Sequence, residues 1–191
     1  MASGGTASAA EKPFKLGGKH CMTEFQGALL MAQMTRIEQQ SRTREENAQY
    51  LTGLLKEIPG IQPSTMYAGC TRNNYHLYML RYQAEQFANL PRTKFLEALN
   101  AEGIPSFGGY ATTDWAKFTT EALSLRGYQR VYSKEMIAEW NKRCRIPEND
   151  RLCREAVWLT QPMLLGPRSD MDEIAAAIRK IHAHAGELAK A

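Results

Sequence analysis

The sequence predicts an α/β fold: a small sheet with flanking helices, led by one long helix. Three observations predict it. A capped, helix-periodic run extends from Thr23 to Ile58, two apolar segments (Tyr75 to Tyr82 and Ala156 to Leu159) suit strands, and further helical segments lie between and after them. With 43% hydrophobic and 23% charged residues in a chain of 191, the composition is that of a globular protein, which excludes disordered and fibrous classes. The uninterrupted apolar runs are short, none longer than Ala28 to Ala32, and fall far short of the ~20 residues that a bilayer span needs.

The first fifteen or so residues are mostly Ala, Gly, Ser and Thr and offer little to bury, so they read as a flexible leader over residues 1–15. They hold no apolar stretch of signal-peptide length, and the expected location is the cytoplasm. Thr23 stands three residues ahead of Gln26, the spacing of a capping box, and Glu24 suits the positive end of a helix. Phe25, Ala28, Leu29, Ala32, Ile37, Ala48, Leu51 and Leu55 then recur at helical spacing, with Glu38 and Arg42 on a solvated side, until Pro59-Gly60. A continuous helix over 23–58 has ~50 Å of length at about 1.5 Å per residue, enough to bridge two bodies of protein. Residues 59–191 are expected to form the small mixed domain that follows it.

Gln62 to Asn74 is rich in turn residues and reads as a loop, and Tyr75 to Tyr82 as a strand buried on both faces. Pro91 can open a helix in which Phe95, Leu96 and Leu99 face inward, with Gly103 as its stop before Ile104 to Phe107. Gly108 to Arg130 shows no clean period and reads mostly as loop. Lys134 to Lys142 and Asn149 to Glu155 suit short helices, Ala156 to Leu159 a short strand, and Ser169 the cap of a last helix with Ile174, Ala177, Ile178 and Ile181 on one face.

A balance of 24 basic against 20 acidic residues is too small and dispersed for a nucleic-acid footprint. Cys21, Cys70, Cys144 and Cys153 show no zinc-ribbon spacing and are expected as reduced thiols. Walker, G-x-G-x-x-G, H-E-x-x-H and G-x-S-x-G motifs are missing, which removes those enzyme classes. His182 and His184, two apart on a helix, point in different directions, so no metal pair is expected. His76 reads as a core histidine, and Met22, Met31 and Met34 as core packing. Leu16 to Cys21 is the most suggestive segment: Gly17 and Gly18 permit close approach, and Lys19 and His20 offer donors beside the positive end of the helix, a place for a phosphate. The same residues also suit a solvated turn. Tyr110, Asp114 and Trp115 lie in the irregular segment, where ligand contacts often sit.

Taken in order, LGGKHCMTEFQGALLMAQMTRIEQQSRTREENAQYLTGLLKEIPGI, NNYHLYMLRY and PRTKFLEALNAEGIPS resemble the C-terminal half of the DegT/DnrJ/StrS family of pyridoxal-phosphate-dependent aminotransferases, with a looser match through AVWLTQPMLL and the last helix. The resemblance implies the small C-terminal domain of the fold-type-I transferase architecture. It also implies an activity, the transfer of an amino group from glutamate or glutamine to a keto group on a sugar or cyclitol, in a homodimer or with a large-domain partner. Such chemistry needs a lysine that holds the cofactor covalently, and in the family that lysine lies upstream of the matched blocks. Neither Lys12 nor Lys15 has a family-like setting, so no catalytic residue is assigned and the isolated chain is expected not to be catalytic.

The resemblance also implies cofactor-side roles for Lys19 and His20. Lys19 stands where the family has an Asn that reaches the phosphate, and Cys21 where it has an Arg; Lys19 can still meet a phosphate as a point charge, whereas Cys21 cannot replace a bidentate arginine. Tyr110 matches the tyrosine that lines the substrate side, with Gly109 in place of the usual His before it and Ala111 in place of the Pro after it. The rival class is a non-catalytic module that binds a partner subunit or a metabolite through the surface left where a large domain would sit.

Overall fold

The computed structural model describes residues 21–110, 121–143 and 146–190; the expected leader, Lys19, His20, Asp114, Trp115 and Cys144 lie outside them. Two compact units divide the chain, Met1–Glu38 and Gln39–Ala191. In the first, α1 (Glu24–Met34) opens on the expected capping box. The Thr23 N–H donates to Gln26 Oε1 at 2.9 Å, and the Gln26 N–H donates to Thr23 Oγ1 at 3.2 Å. Each side chain satisfies a donor that the first helical turn would otherwise leave unpaired.

The single helix expected over 23–58 is two helices, because α1 ends at Met34 and α2 spans Ile37–Lys56. At the break the Thr35 hydroxyl donates to the Ala32 carbonyl at 2.8 Å, and the Arg36 N–H bonds Gln33 O three residues back. Three-residue bonds of this kind replace the four-residue ladder at the break. Met22, Met31 and Met34 are not core fillers: none of α1 is buried, and Phe25 is 79% and Met31 75% exposed. Apolar residues stand on every side of this helix, a pattern found where a helix is enclosed by other protein.

In the second unit a four-stranded antiparallel sheet has the order β1-β2-β4-β3, with β1 at Ile61–Pro63, β2 at Leu77–Tyr82, β3 at Ser106–Phe107 and β4 at Ala156–Thr160. β1 overlaps the start of the stretch read as loop, at Gln62 and Pro63; it is a three-residue edge strand closed by Pro63, where a missing N–H is tolerated. β2 is buried on one face rather than two. Tyr78, Leu80 and Tyr82 are buried while Met79 is exposed, the alternation of a sheet packed on one side. His76 precedes the strand and is exposed, so it is not a core histidine.

Three helices cover the buried face: α2, α3 (Arg92–Ala101) and the long C-terminal helix Arg168–Ala183, each contributing to one apolar core. Leu51, Leu55, Phe95, Leu99, Ile174 and Ile178 meet Leu80, Val157 and Leu159 there. The rings of Tyr82, Phe87 and Phe95 stack or tilt at centroid distances of 4.3 to 5.5 Å. Two polar groups inside are paired, the Tyr82 hydroxyl donating to Leu90 O at 2.7 Å and Asn47 Nδ2 to the Leu164 and Gly166 carbonyls at 2.9 Å each, whereas His182 Nε2 is buried without a partner among the described residues. Burial, foremost, pushes the Tyr78 and Tyr82 phenols above their ordinary value.

The C-terminal helix starts at Arg168 after Pro167, with no side-chain cap, so Ser169 stands inside its first turn instead of capping it. Its expected inner face of Ile174, Ala177, Ile178 and Ile181 is buried. Between β3 and β4 run α4 (Arg126–Gln129), α5 (Lys134–Arg143) and α6 (Pro147–Glu155). Residues 121–123 are helical as well, so the described part of the stretch read as loop is largely short helices. α6 begins two residues earlier than expected because Pro147 pre-sets a helical φ in its first turn. At its end Glu155 accepts from Arg81 Nε at 2.7 Å, from Arg81 Nη2, and from Arg151 Nε at 3.0 Å. Burial acts to raise the Glu155 pKa, but the bonds and charges of Arg81 and Arg151 outweigh it and hold the carboxyl below its ordinary value.

Two outcomes are expected. Burying a large apolar side chain contributes about 1.5 to 3 kcal/mol, so the bare surface of α1 should make the chain self-associate, and Leu29→Glu with Met31→Glu should shift it toward monomer. Sedimentation velocity across a concentration series checks this; a concentration-independent monomer that binds no hydrophobic dye counts against it. Because the folded Glu155 pKa is lowered, its contribution is present above the ordinary carboxyl value of 4.5 and is lost as pH falls through the lowered value. Glu155→Gln should therefore cost about 1 kcal/mol in urea unfolding near pH 7 and almost nothing at about pH 3.

Candidate functional site

The face of the sheet opposite the core carries an aromatic ledge. Antiparallel register places Met79 and Phe107 on either side of Trp158. The Phe107 ring meets the indole edge to face at 5.7 Å, and Tyr110 does so at 5.1 Å with the planes at 89°. Tyr110 is 79% exposed, so its ring is fixed along one side by Trp158 while the remainder faces outward. This gives an apolar body with a hydroxyl at its tip, the combination that suits a ligand with both apolar and polar edges.

Backbone placement explains why Tyr110 reaches the indole. Gly109 has φ +70°, and a Cβ there would lie 2.5 Å from Trp158 Cε2. Only glycine allows both the left-handed turn and the close approach. Gly108 is constrained as well, since a Cβ on it would stand 2.9 Å from Arg92 Cζ. The two glycines lay the loop flat between a guanidinium and an indole, and the next residue is Tyr110.

Of the site residues expected from sequence, Tyr110 is on this ledge, and Lys19 and His20 lie outside the described residues. Cys21 is exposed. His182 packs edge-on against Phe87 at 4.7 Å, whereas His184 Nδ1 faces Glu187 at 3.3 Å, so the two do point apart. Among the described residues no group of three or more His, Cys, Asp or Glu side chains is arranged to hold a metal ion. Sequence reasoning missed Trp158 and Phe107 as partners of Tyr110. A usable signal was present in β4, where alternation places Val157 and Leu159 on the core side and Trp158 on the other.

A separate apolar groove of about 570 Å³ lies on the helices between β3 and β4, lined by Tyr128, Tyr132, Met136 and Trp140 among others. It shares no lining residue with the ledge. Among the described residues no helix is long and apolar enough to cross a membrane.

The model of the DegT/DnrJ/EryC1/StrS aminotransferase family matches residues 3–179. The chain is 33% identical over 174 residues to an L-glutamine:2-deoxy-scyllo-inosose aminotransferase of Streptoalloteichus tenebrarius, and 34% identical over 175 residues to one of Streptomyces fradiae. Each match covers 91% of this chain but only 40% and 41% of the relative, so the chain spans about two fifths of the length of the curated relatives it matches. Among solved structures, 3-amino-5-hydroxybenzoic acid synthase superposes with a TM-score of 0.65 at 24% identity, over 92% of this chain and 43% of that one. The aminotransferase PseC of Helicobacter pylori gives 0.59 at 17% identity, over 91% and 42%. These two share its fold, a mixed α/β unit with a small sheet and helices. On the family match and the identities together, the chain belongs to the DegT/DnrJ/EryC1/StrS aminotransferase family, corresponding to its C-terminal portion.

Proposed function

We propose that this chain forms the small-domain part of a pyridoxal-phosphate-dependent aminotransferase that moves an amino group from glutamine or glutamate to a keto group on a cyclitol or sugar, with the aromatic ledge on the acceptor side. The observation that carries the reading is Tyr110, held edge-on to Trp158 directly after the block that resembles the family. A cyclitol ring has C–H faces and a rim of hydroxyls. The Tyr110 ring matches the first and its hydroxyl the second. The kinship with inosose aminotransferases supports the choice of acceptor.

When bound, the cofactor supplies the electron sink of the reaction. The described residues do not fit its covalent attachment: no lysine lies on any of the four strands or on the Gly108 to Tyr110 loop. Lys94 is engaged with the Leu188 carbonyl, and Lys180 with Glu102, both on helices that cover the other face. The residues of this chain bind and orient the acceptor at Tyr110 and offer charge to the cofactor phosphate at Lys19 and His20. A large-domain body, in a homodimer or as a partner, completes the site in the cytoplasm. The unburied apolar surface of α1 also favours a second reading, in which the chain is a non-catalytic module that binds a partner subunit.

Two measurements separate these readings. Mixed with pyridoxal phosphate, the purified chain should give no stoichiometric near-visible absorbance band; a band that borohydride fixes to one lysine would show that the chain holds the cofactor by itself. Supplied with the large domain of a close relative, the chain should bind the cofactor, and Lys19→Ala should weaken that binding about ten- to a hundredfold at low salt, the value of a charge-assisted bond of about 1.5 to 3 kcal/mol. His20→Ala should matter less. Equal affinities for wild type and Lys19→Ala would return Lys19 to a solvated turn.

A further inference from the structure

Arg92 is the first residue of α3, where a cation meets the positive end of the helix and gains nothing from it. Its guanidinium instead spans three other segments. The two hydrogens of Nη1 are shared among three carbonyls, Cys153 O at 2.6 Å, Ala156 O at 2.8 Å and Gly108 O at 3.0 Å. The first two carbonyls belong to the last turn and the cap residue of α6, the negative end of a helix, where an arginine is favoured. The third belongs to the loop that carries Tyr110. The chain continues from Ala156 into β4, where Trp158 is the platform that Tyr110 meets.

One half-buried side chain therefore ties the loop of Tyr110 to the strand of Trp158. The contact is close enough that a single methyl group on Gly108 would make the guanidinium shift from its place against the loop. Trp158 and Phe107 are packed independently by the sheet register, but among the described residues no other side chain bonds the backbone of Gly108 to Tyr110. We propose that Arg92 is a positioning residue, whose bond to the Gly108 carbonyl sets the orientation of Tyr110 against Trp158. The inference rests on the reading of the ledge as the acceptor side, and it names the residue that fixes the acceptor-facing tyrosine.

The test uses the full chain and nuclear magnetic resonance of the Tyr110 ring, read through its cross-peaks to the Trp158 indole. Arg92→Met should lose those cross-peaks while core methyl signals keep their positions. Arg92→Lys should retain them in part, because an ammonium can donate to the same carbonyls that Nη1 now serves. Gly108→Ala should lose them with Arg92 still in place, which keeps the test decisive if Arg92→Met fails to fold. Ile178→Val, on the C-terminal helix and remote from the ledge, should leave them intact at the same temperature.

Unchanged cross-peaks in a folded Arg92→Met or in Gly108→Ala would overturn the assignment. So would an equal loss in Ile178→Val, since that marks general loosening. Titration of the wild-type chain, assembled with the large domain of a close relative, with scyllo-inosose and followed at the same Tyr110 signals tests the acceptor-side reading by itself. No response there overturns that reading, while the cross-peak results still decide the role of Arg92.

Discussion

Burial of one face of the sheet, and not the other, governs what the strand residues do. Helices α2 and α3 and the C-terminal helix cover the side that carries Tyr78, Leu80, Val157 and Leu159. With a side-chain period of two, Met79 and Trp158 are then forced to the opposite side. A one-residue slip of β4 would drive the indole into the core and place two aliphatic residues in water. The same apolar burial that stabilises the fold thus places the aromatic ledge.

The order of elements was largely legible in the sequence, because most of them carry local signals. The capping box at Thr23, the helix after Pro91 with Phe95 and Leu99 inward, and the inner face of the last helix all depend on neighbours a few residues away. What was misjudged depends on distant partners. β1 is too short to show a period and exists because Ile61 to Pro63 lie opposite Leu80 to Tyr82. His76 was placed in a doubly covered strand, a reading that aromatic density invites and only knowledge of the bare face corrects. At Thr35 the expected continuity gives way to bonds three residues long, from the Thr35 hydroxyl to Ala32 O and from the Arg36 N–H to Gln33 O, which no periodicity of apolar residues reveals.

Tyr110 could be singled out from the sequence, but its setting could not. Its indole partner is brought to it by the pairing of Phe107 with Trp158, and the guanidinium beneath its loop comes from Arg92. Neither pairing leaves a trace in local spacing. Gly108 and Gly109 were visible as letters, and the reason for two glycines in succession appears only when Arg92 and Trp158 stand against them. Relatives of the chain are more than twice its length. A helix as apolar on all sides as α1 accords with a fold in which more protein surrounds it.

The strand order has a consequence for how the unit assembles. β4 lies between β2 and β3 and pairs with both, yet it is the last strand in the chain. Leu80 waits for Val157, and Phe107 for Trp158, so the sheet closes through loops whose entropy cost is met before any ladder bond rewards it. During synthesis β3 has no neighbour until the final strand emerges, and the ribosome must complete most of the polypeptide before Trp158 meets its aromatic partners. Among the described residues, the hairpin-like contact of β1 with β2 is the strand pairing available early. Cooperative closure is therefore a late event, triggered by the arrival of the C-terminal segment.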